Sequence, residues 1–174
     1  ELAGIGVDDL DHVDLYSCFP SAVQVAAAEL GLALDDPQRP LTVTGGLTFA
    51  GGPWNNYVMH SIATMAEKLA AEPGTTGLIT ANGGYLTKHA FGVYSATPPV
   101  DGFRWADVQD LVDREPTRRE DADFAGVGTL ESWTVPFDRD GKPDKAFLAV
   151  RTPQEARALA VITDPGAAAA LVEA

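Results

Sequence analysis

"TVTGGLTFAGGPWNNY" occupies residues 42–57, and its reading organises the rest of the chain. It opens as a strand-like run. Four glycines and a proline follow within residues 45–53, and a helical pattern begins near Asn55. A glycine turn between a strand and a helix lets backbone approach a ligand, and the helix N-terminus offers free N–H groups and partial positive charge. No acid, base or nucleophile lies in the turn. The same glycines would also serve merely to make a tight strand–helix connection.

Working outward, strands and helices alternate. "DHVDLY" (11–16) alternates apolar and polar residues as a short strand does. "SCFP" turns, and "SAVQVAAAELGL" (21–32) follows as a helix with Ser21 as the expected cap and Gly31 as the stop. "LTVTGG" (41–46) reads as a second strand. The next helix runs to about Ala71, with Val58, Ile62, Met65 and Leu69 on one stripe and Met59, Ala63, Ala66 and Ala70 on the adjacent one. "TGLITANGG" (76–84) is a continuous apolar strand, and "HAFGVYSATPP" (89–99) another. The pattern predicts a layered α/β domain over 1–99. Residues 1–10 read as a helix tail with a glycine stop.

Beyond Pro99 the texture changes. "RWADVQDLVDRE" (104–115) reads as an exposed helix and "PTRREDAD" (116–123) as a charged link. Residues 128–152 alternate like a hairpin that turns at Asp140-Gly141. "ARALAVITD" (156–164) reads as a third strand and "PGAAAALVEA" (165–174) as a helical stub. Residues 100–174 thus form a linker helix and a small β-rich appendage.

Composition narrows the function. The formal charge of −13 repels phosphate backbones and anionic membrane surfaces, so no nucleic-acid partner is expected. No apolar run approaches the ~18 residues of a membrane span, so no membrane partner is expected either. One cysteine, Cys18, excludes an internal disulfide and fits a cytoplasmic setting. Three histidines and one cysteine show no metal-ligand spacing. The chain opens at Glu1 rather than methionine, which suggests a piece of something longer.

Three stretches together resemble the C-terminal half of a thiolase-superfamily protein, of the branch related to the sterol-carrier (SCP2) thiolases. "DLYSCFPSAVQ" (14–24) is similar to the strand-to-helix turn in which those proteins carry His-Asp-Cys-Phe or Asn-Glu-Ala-Phe. "GGLTFAGGPWNN" (45–56) keeps their spacing of two glycines, four residues, then Gly-His-Pro, with Gly52 in the place of the histidine. "ITANGGYLTKHAFG" (79–92) resembles the turn of Cys-x-Gly-x-Gly, with Ala81 in the place of the cysteine. The resemblance covers residues 1–99. It implies a thiolase-like layered half-domain with a mixed sheet, and residues 100–174 resemble the extra β-rich domain, OB-like in character, of some bacterial thiolase-like proteins.

The resemblance also implies chemistry. Thiolases make or break a carbon–carbon bond beside a thioester. They use a nucleophilic cysteine from the N-terminal half, a Gly-His-Pro histidine that activates it, and a second cysteine that moves the α-proton. Gly52 and Ala81 can transfer no proton. Each such group contributes about 10²–10⁴-fold, so ordinary thiolysis is not expected. What the resemblance leaves is an acyl-CoA ligand held as a coenzyme A thioester, with Gly46, Gly51, Gly52, Asn82, Gly83 and Gly84 as its binding residues. The acyl group expected from the relatives is a steroid or fatty one.

Tyr16 stands where the family has an oxyanion-holding Asn or His, and its hydroxyl could donate likewise. It could equally be an aromatic anchor at a strand end. Cys18 could carry a proton, or be an inert buried thiol. His89 could replace the missing base, or sit solvated at a strand edge. Tyr16, Cys18 and His89 are therefore the catalytic candidates for altered carbon–carbon chemistry. His60 reads as a surface residue and His12 as a solvated one. The other reading is a non-catalytic scaffold: the broad apolar face expected of the half-domain would then meet an N-terminal thiolase half or a second subunit in an oligomer.

Overall fold

The computed structural model describes residues 2–174 and divides into two compact units, one running up to Ala106 and one over Asp107–Ala174. Glu1 lies outside the described residues.

The first unit is built on a three-stranded mixed sheet in the order β1-β2-β3. Strand β1 (His12–Asp14) runs parallel to β2 (Thr76–Gly83), with Val13 opposite Leu78. β2 runs antiparallel to β3 (Lys88–Ser95), from Thr76 opposite Ser95 to Gly83 opposite Lys88. Helix α1 (Pro20–Leu30) packs on one face, where Val13, Leu15 and Leu78 meet Ala27 and Leu32. Helix α3 (Tyr57–Ala71) packs on the other, where Ile79 meets Met65 and Leu69. The alternation of side chains along β2 sends Leu78 to one helix and Ile79 to the other. This is the layered α/β arrangement that the alternation of strands and helices predicts.

Several local expectations change. Ser21 does not cap α1: Phe19 stands extended at the N-cap and Pro20 takes the first helical position, where its missing N–H costs nothing. Gly31 does close that helix, at φ +69°, with the Leu32 amide reaching back to the Ala27 carbonyl at 2.8 Å. Residues 2–10 hold no helix tail, only turns and a 3₁₀ turn at Val7–Asp9. Of the two apolar stripes on α3, the first packs: Met65 and Leu69 are buried on Ile79 with Val58 and Ile62 against them, and Tyr57 and Ser61, four residues apart, join the buried line. Met59, Ala63, Ala66 and Ala70 face outward, Met59 at 59 % exposure.

Residues 41–46 form no strand. The segment begins as one would, with the Leu15 amide donating to the Leu41 carbonyl at 2.9 Å. The Asp14 carboxylate then takes over. It accepts from the Val43 and Thr44 amides at 3.0 and 3.3 Å, so a side chain satisfies donors that a neighbouring strand would otherwise hold. A short helix, α2 (Leu47–Ala50), and a 3₁₀ turn at Trp54–Asn56 complete the path into α3.

In the second unit the expected helix over 104–115 shrinks to one turn, α4 (Gln109–Val112). Strands β4 (Thr129–Thr134), β5 (Ala146–Arg151) and β6 (Arg157–Ile162) form an antiparallel meander. A bulge leaves Glu131 unpaired between Leu130 and Ser132, and its carboxylate meets Arg118, Arg151 and Arg157. Arg151 and Arg157 lie directly opposite each other on β5 and β6, so the bulged carboxylate offsets a like-charge pair. Helix α5 (Pro165–Ala170) starts at Asp164, whose side chain accepts from the Ala167 amide at 2.7 Å. An OB-fold has five strands; three are described here, and β-rich is the description that holds.

Candidate functional site

The three motifs converge at the C-terminal ends of β1 and β2. The first contact joins the 16–18 turn to the glycine turn. The Ser17 hydroxyl accepts from the Leu47 amide at 2.9 Å. Gly46 is buried at φ +83°, and a Cβ there would lie 2.9 Å from the Ser17 hydroxyl oxygen. Glycine at 46 is thus required twice, by backbone conformation and by the close approach.

The second contact joins the 16–18 turn to the end of β2. The Tyr16 amide donates to the Thr80 hydroxyl at 2.9 Å, and the Asn82 amide nitrogen donates to the Cys18 sulfur at 3.3 Å. Cys18 is exposed, which overturns the reading of a buried inert thiol. The Asn82 carboxamide oxygen is buried without a hydrogen-bond partner. Ala81 lies on the opposite face of β2, paired with Ala90.

The third contact is aromatic. Tyr16 meets Tyr57 edge-on, with ring centroids 5.4 Å apart and planes at 86°. Burial pushes the Tyr16 phenol above its ordinary value, and Cys18 and Tyr57 beside it push it the same way.

Asp14 sits behind all three contacts, fully buried. One carboxylate oxygen accepts from the Tyr57 and Ser61 hydroxyls at 2.8 and 2.7 Å. The other accepts from the Thr42 hydroxyl at 2.8 Å as well as from the 43 and 44 amides. The Thr44 hydroxyl links this carboxylate to the Tyr57 hydroxyl at 2.8 Å, and it accepts from the Gly46 amide at 3.0 Å. Sequence reasoning passed over Asp14, Ser17, Thr44 and Tyr57. The signal for Asp14 was present: an aspartate between Val13 and Leu15 in a buried strand needs several donors, and Thr42 and Thr44 supply them.

The remaining candidates lie around this cluster. His89 pairs with Asn82 across β2 and β3, but its ring contacts the Leu86 carbonyl at 3.0 Å and stacks on Phe91. A shallow hollow of about 250 Å³ is lined by Asn82, Gly83, Lys88 and His89 together with Ala81 and Ala90. Gly83 and Gly84 shape the β2–β3 hairpin, Gly84 at φ +55°. Gly51 and Gly52 have positive φ and open space around them, so a side chain at 52 would meet no neighbour. Trp54 follows at φ +50° and 91 % exposure. Away from the site, His12 is not solvated: it binds Glu72 at 2.9 Å, with its side chain 14 % exposed. His60 contacts Asn56 at 3.2 Å. Among the described residues, no helix is long and apolar enough to cross a membrane.

Comparison with known proteins bears on both units. Residues 107–174 match the family model described as the thiolase-like protein type 1 additional C-terminal domain. Across 91 % of the chain, the fold is similar to the crystal structure of a monomeric SCP2-thiolase like protein type 1 from Mycobacterium smegmatis, with a TM-score of 0.78 and 39 % sequence identity. The chain spans 35 % of that protein's length. No curated protein gives a match. The fold of the first unit, the model matched by the second and the likeness across both lead to one conclusion: the chain belongs to the thiolase-like superfamily.

Proposed function

We propose that the first unit holds the thioester end of an acyl-CoA and does not carry out ordinary thiolysis. The observation that carries this reading is the convergence of the 16–18 turn, the glycine turn and Asn82 on one exposed thiol. A thioester carbonyl beside this cluster would find the Tyr16 hydroxyl as a donor and the Cys18 thiol as a proton carrier. The glycine turn leaves Gly51 and Gly52 uncovered for backbone approach. Gly52 and Ala81 stand where the family carries its histidine and second cysteine, and neither side chain moves a proton. The reaction class that fits is carbon–carbon bond chemistry on CoA thioesters altered to use Tyr16 and Cys18. His89 would join it by turning from Leu86 into the hollow beside Asn82.

A second reading is a non-catalytic scaffold, in which an N-terminal thiolase half or a second subunit covers the first unit. The outward stripe of Met59, Ala63, Ala66 and Ala70 on α3 favours it, as do Phe91 and Val93 on β3 at 62 % and 44 % exposure. Calorimetric titration of the full-length protein with acetyl-CoA, followed by thiolysis and retro-aldol assays, separates the two. Saturable binding supports the first reading, and turnover assigns it chemistry. Absence of binding removes it and leaves the scaffold.

A further inference from the structure

We infer that Asp14 is the positioning residue of this site: its carboxylate joins the glycine turn to the Tyr16 side of the cluster and fixes their spacing. The inference rests on the reading of residues 16–18, 45–52 and 82 as the acyl-CoA end. Asp14 touches none of the atoms placed at the ligand; it acts through its neighbours along two paths.

One path runs through Thr44. Its hydroxyl bonds Asp14 on one side and takes the Gly46 amide on the other, so Gly46 stays against Ser17. The second path runs through Tyr57. Its hydroxyl is held by Asp14 at 2.8 Å, and its ring sets the edge-on partner of Tyr16. Thr44 and Tyr57 also meet hydroxyl to hydroxyl at 2.8 Å, and the Asp14 carboxylate anchors both of them, so the two paths start from one buried group. Ser61 is the internal control. Its hydroxyl binds the same carboxylate at 2.7 Å, but it lies one turn further along α3, and its other contact is the Tyr57 backbone carbonyl at 3.4 Å, not the Tyr57 ring or another side chain of the cluster. A purely structural aspartate would make the Ser61 and Thr44 bonds equivalent. A positioning aspartate makes only the Thr44 and Tyr57 bonds felt at Cys18 and Tyr16.

The chemistry also distinguishes substitutions. Asp14→Ala orphans buried donors on both sides. Asp14→Asn keeps one oxygen for the 43 and 44 amides, and its NH₂ can face the Tyr57 and Ser61 hydroxyls, which turn to accept. Asparagine should therefore recover most of what alanine loses.

The test uses the full-length protein with Asp14→Ala, Asp14→Asn, Thr44→Val and Ser61→Ala. Two readouts need no ligand: the rate of Cys18 alkylation by iodoacetamide across pH, and the pH at which the Tyr16 phenol ionises, read by ultraviolet absorbance against Tyr16→Phe. Acetyl-CoA affinity by calorimetry is the third. Asp14→Ala and Thr44→Val are expected to change the alkylation rate by roughly tenfold and to weaken acetyl-CoA binding by a similar factor. Tyr16 should ionise at lower pH in both. Asp14→Asn should restore most of each, and Ser61→Ala should lower the melting temperature while leaving the site readouts in place. If Asp14→Ala does not fold, Thr44→Val carries the test. The inference is overturned if folded Thr44→Val leaves both ligand-free readouts unchanged, or if Ser61→Ala moves them as far as Asp14→Ala does. Should the unsubstituted protein bind no acetyl-CoA, the functional reading fails, and the ligand-free readouts still decide the role of Asp14.

Discussion

The side-chain amide of Asn82 donates to the sulfur of Cys18 across 3.3 Å, joining residues 64 positions apart at the ends of two parallel strands. This bond fixes where the exposed sulfur sits relative to the end of β2. Asn82→Ala releases the sulfur from that position and should change the rate of Cys18 alkylation by roughly two- to tenfold. The melting temperature should hold or rise, because the buried Asn82 oxygen has no partner to lose. An unchanged alkylation rate would show that the contact has no chemical weight.

Tyr16 makes stability fall with alkali. Its folded phenol ionises above the ordinary 10.0, first because of burial and then because of Cys18 and Tyr57. The unfolded chain therefore loses that proton first as pH rises. Tyr16's contribution is fully present below about pH 10 and is lost as pH climbs through the folded value. Urea midpoints measured from neutral to strongly alkaline pH should fall more steeply for the unsubstituted protein than for Tyr16→Phe. Equal slopes would contradict the environment described for Tyr16.

Gly77 tests the packing that carries the site. A Cβ at this position of β2 would lie 2.3 Å from the Met65 sulfur, so α3 sits against bare backbone there. Gly77→Ala should cost about 1–3 kcal/mol by overpacking, and pairing it with Met65→Ala should relieve the clash while opening a cavity of its own. Chemical denaturation of the single and double variants reads the coupling. Additive losses would mean that the close approach does not exist.

Much of the half-domain was legible in the residues, because hydrophobic alternation and helical period are local signals. β2 and β3 show it, and so do α1 with its Gly31 stop and the three strands of the second unit. The 41–46 segment was not legible. Its alternation is that of a strand, but a carboxylate 28 to 30 residues earlier claims its donors, and no local pattern reports that. On α3 the stripe of Val58, Ile62, Met65 and Leu69 was legible and packs on Ile79, but the width of the buried face was not: Ser61 is buried by its bond to Asp14, and Met59, the more apolar residue, is left outside. Among the candidate residues, the position of Gly46 and the meeting of Cys18 with Asn82 follow from how the turns stack in space. The exposure of Cys18 could not be read from a lone cysteine in an apolar neighbourhood.

The most direct measurement is protection of Cys18. The full-length protein is treated with iodoacetamide at increasing acetyl-CoA, and the fraction of Cys18 alkylated is read by mass spectrometry. If the thioester end of the ligand lies at the convergence of Tyr16, Gly46 and Asn82, alkylation should fall in a saturable way, with a midpoint equal to the calorimetric Kd. Alkylation that proceeds undiminished at saturating acetyl-CoA would place the ligand elsewhere and contradict the account.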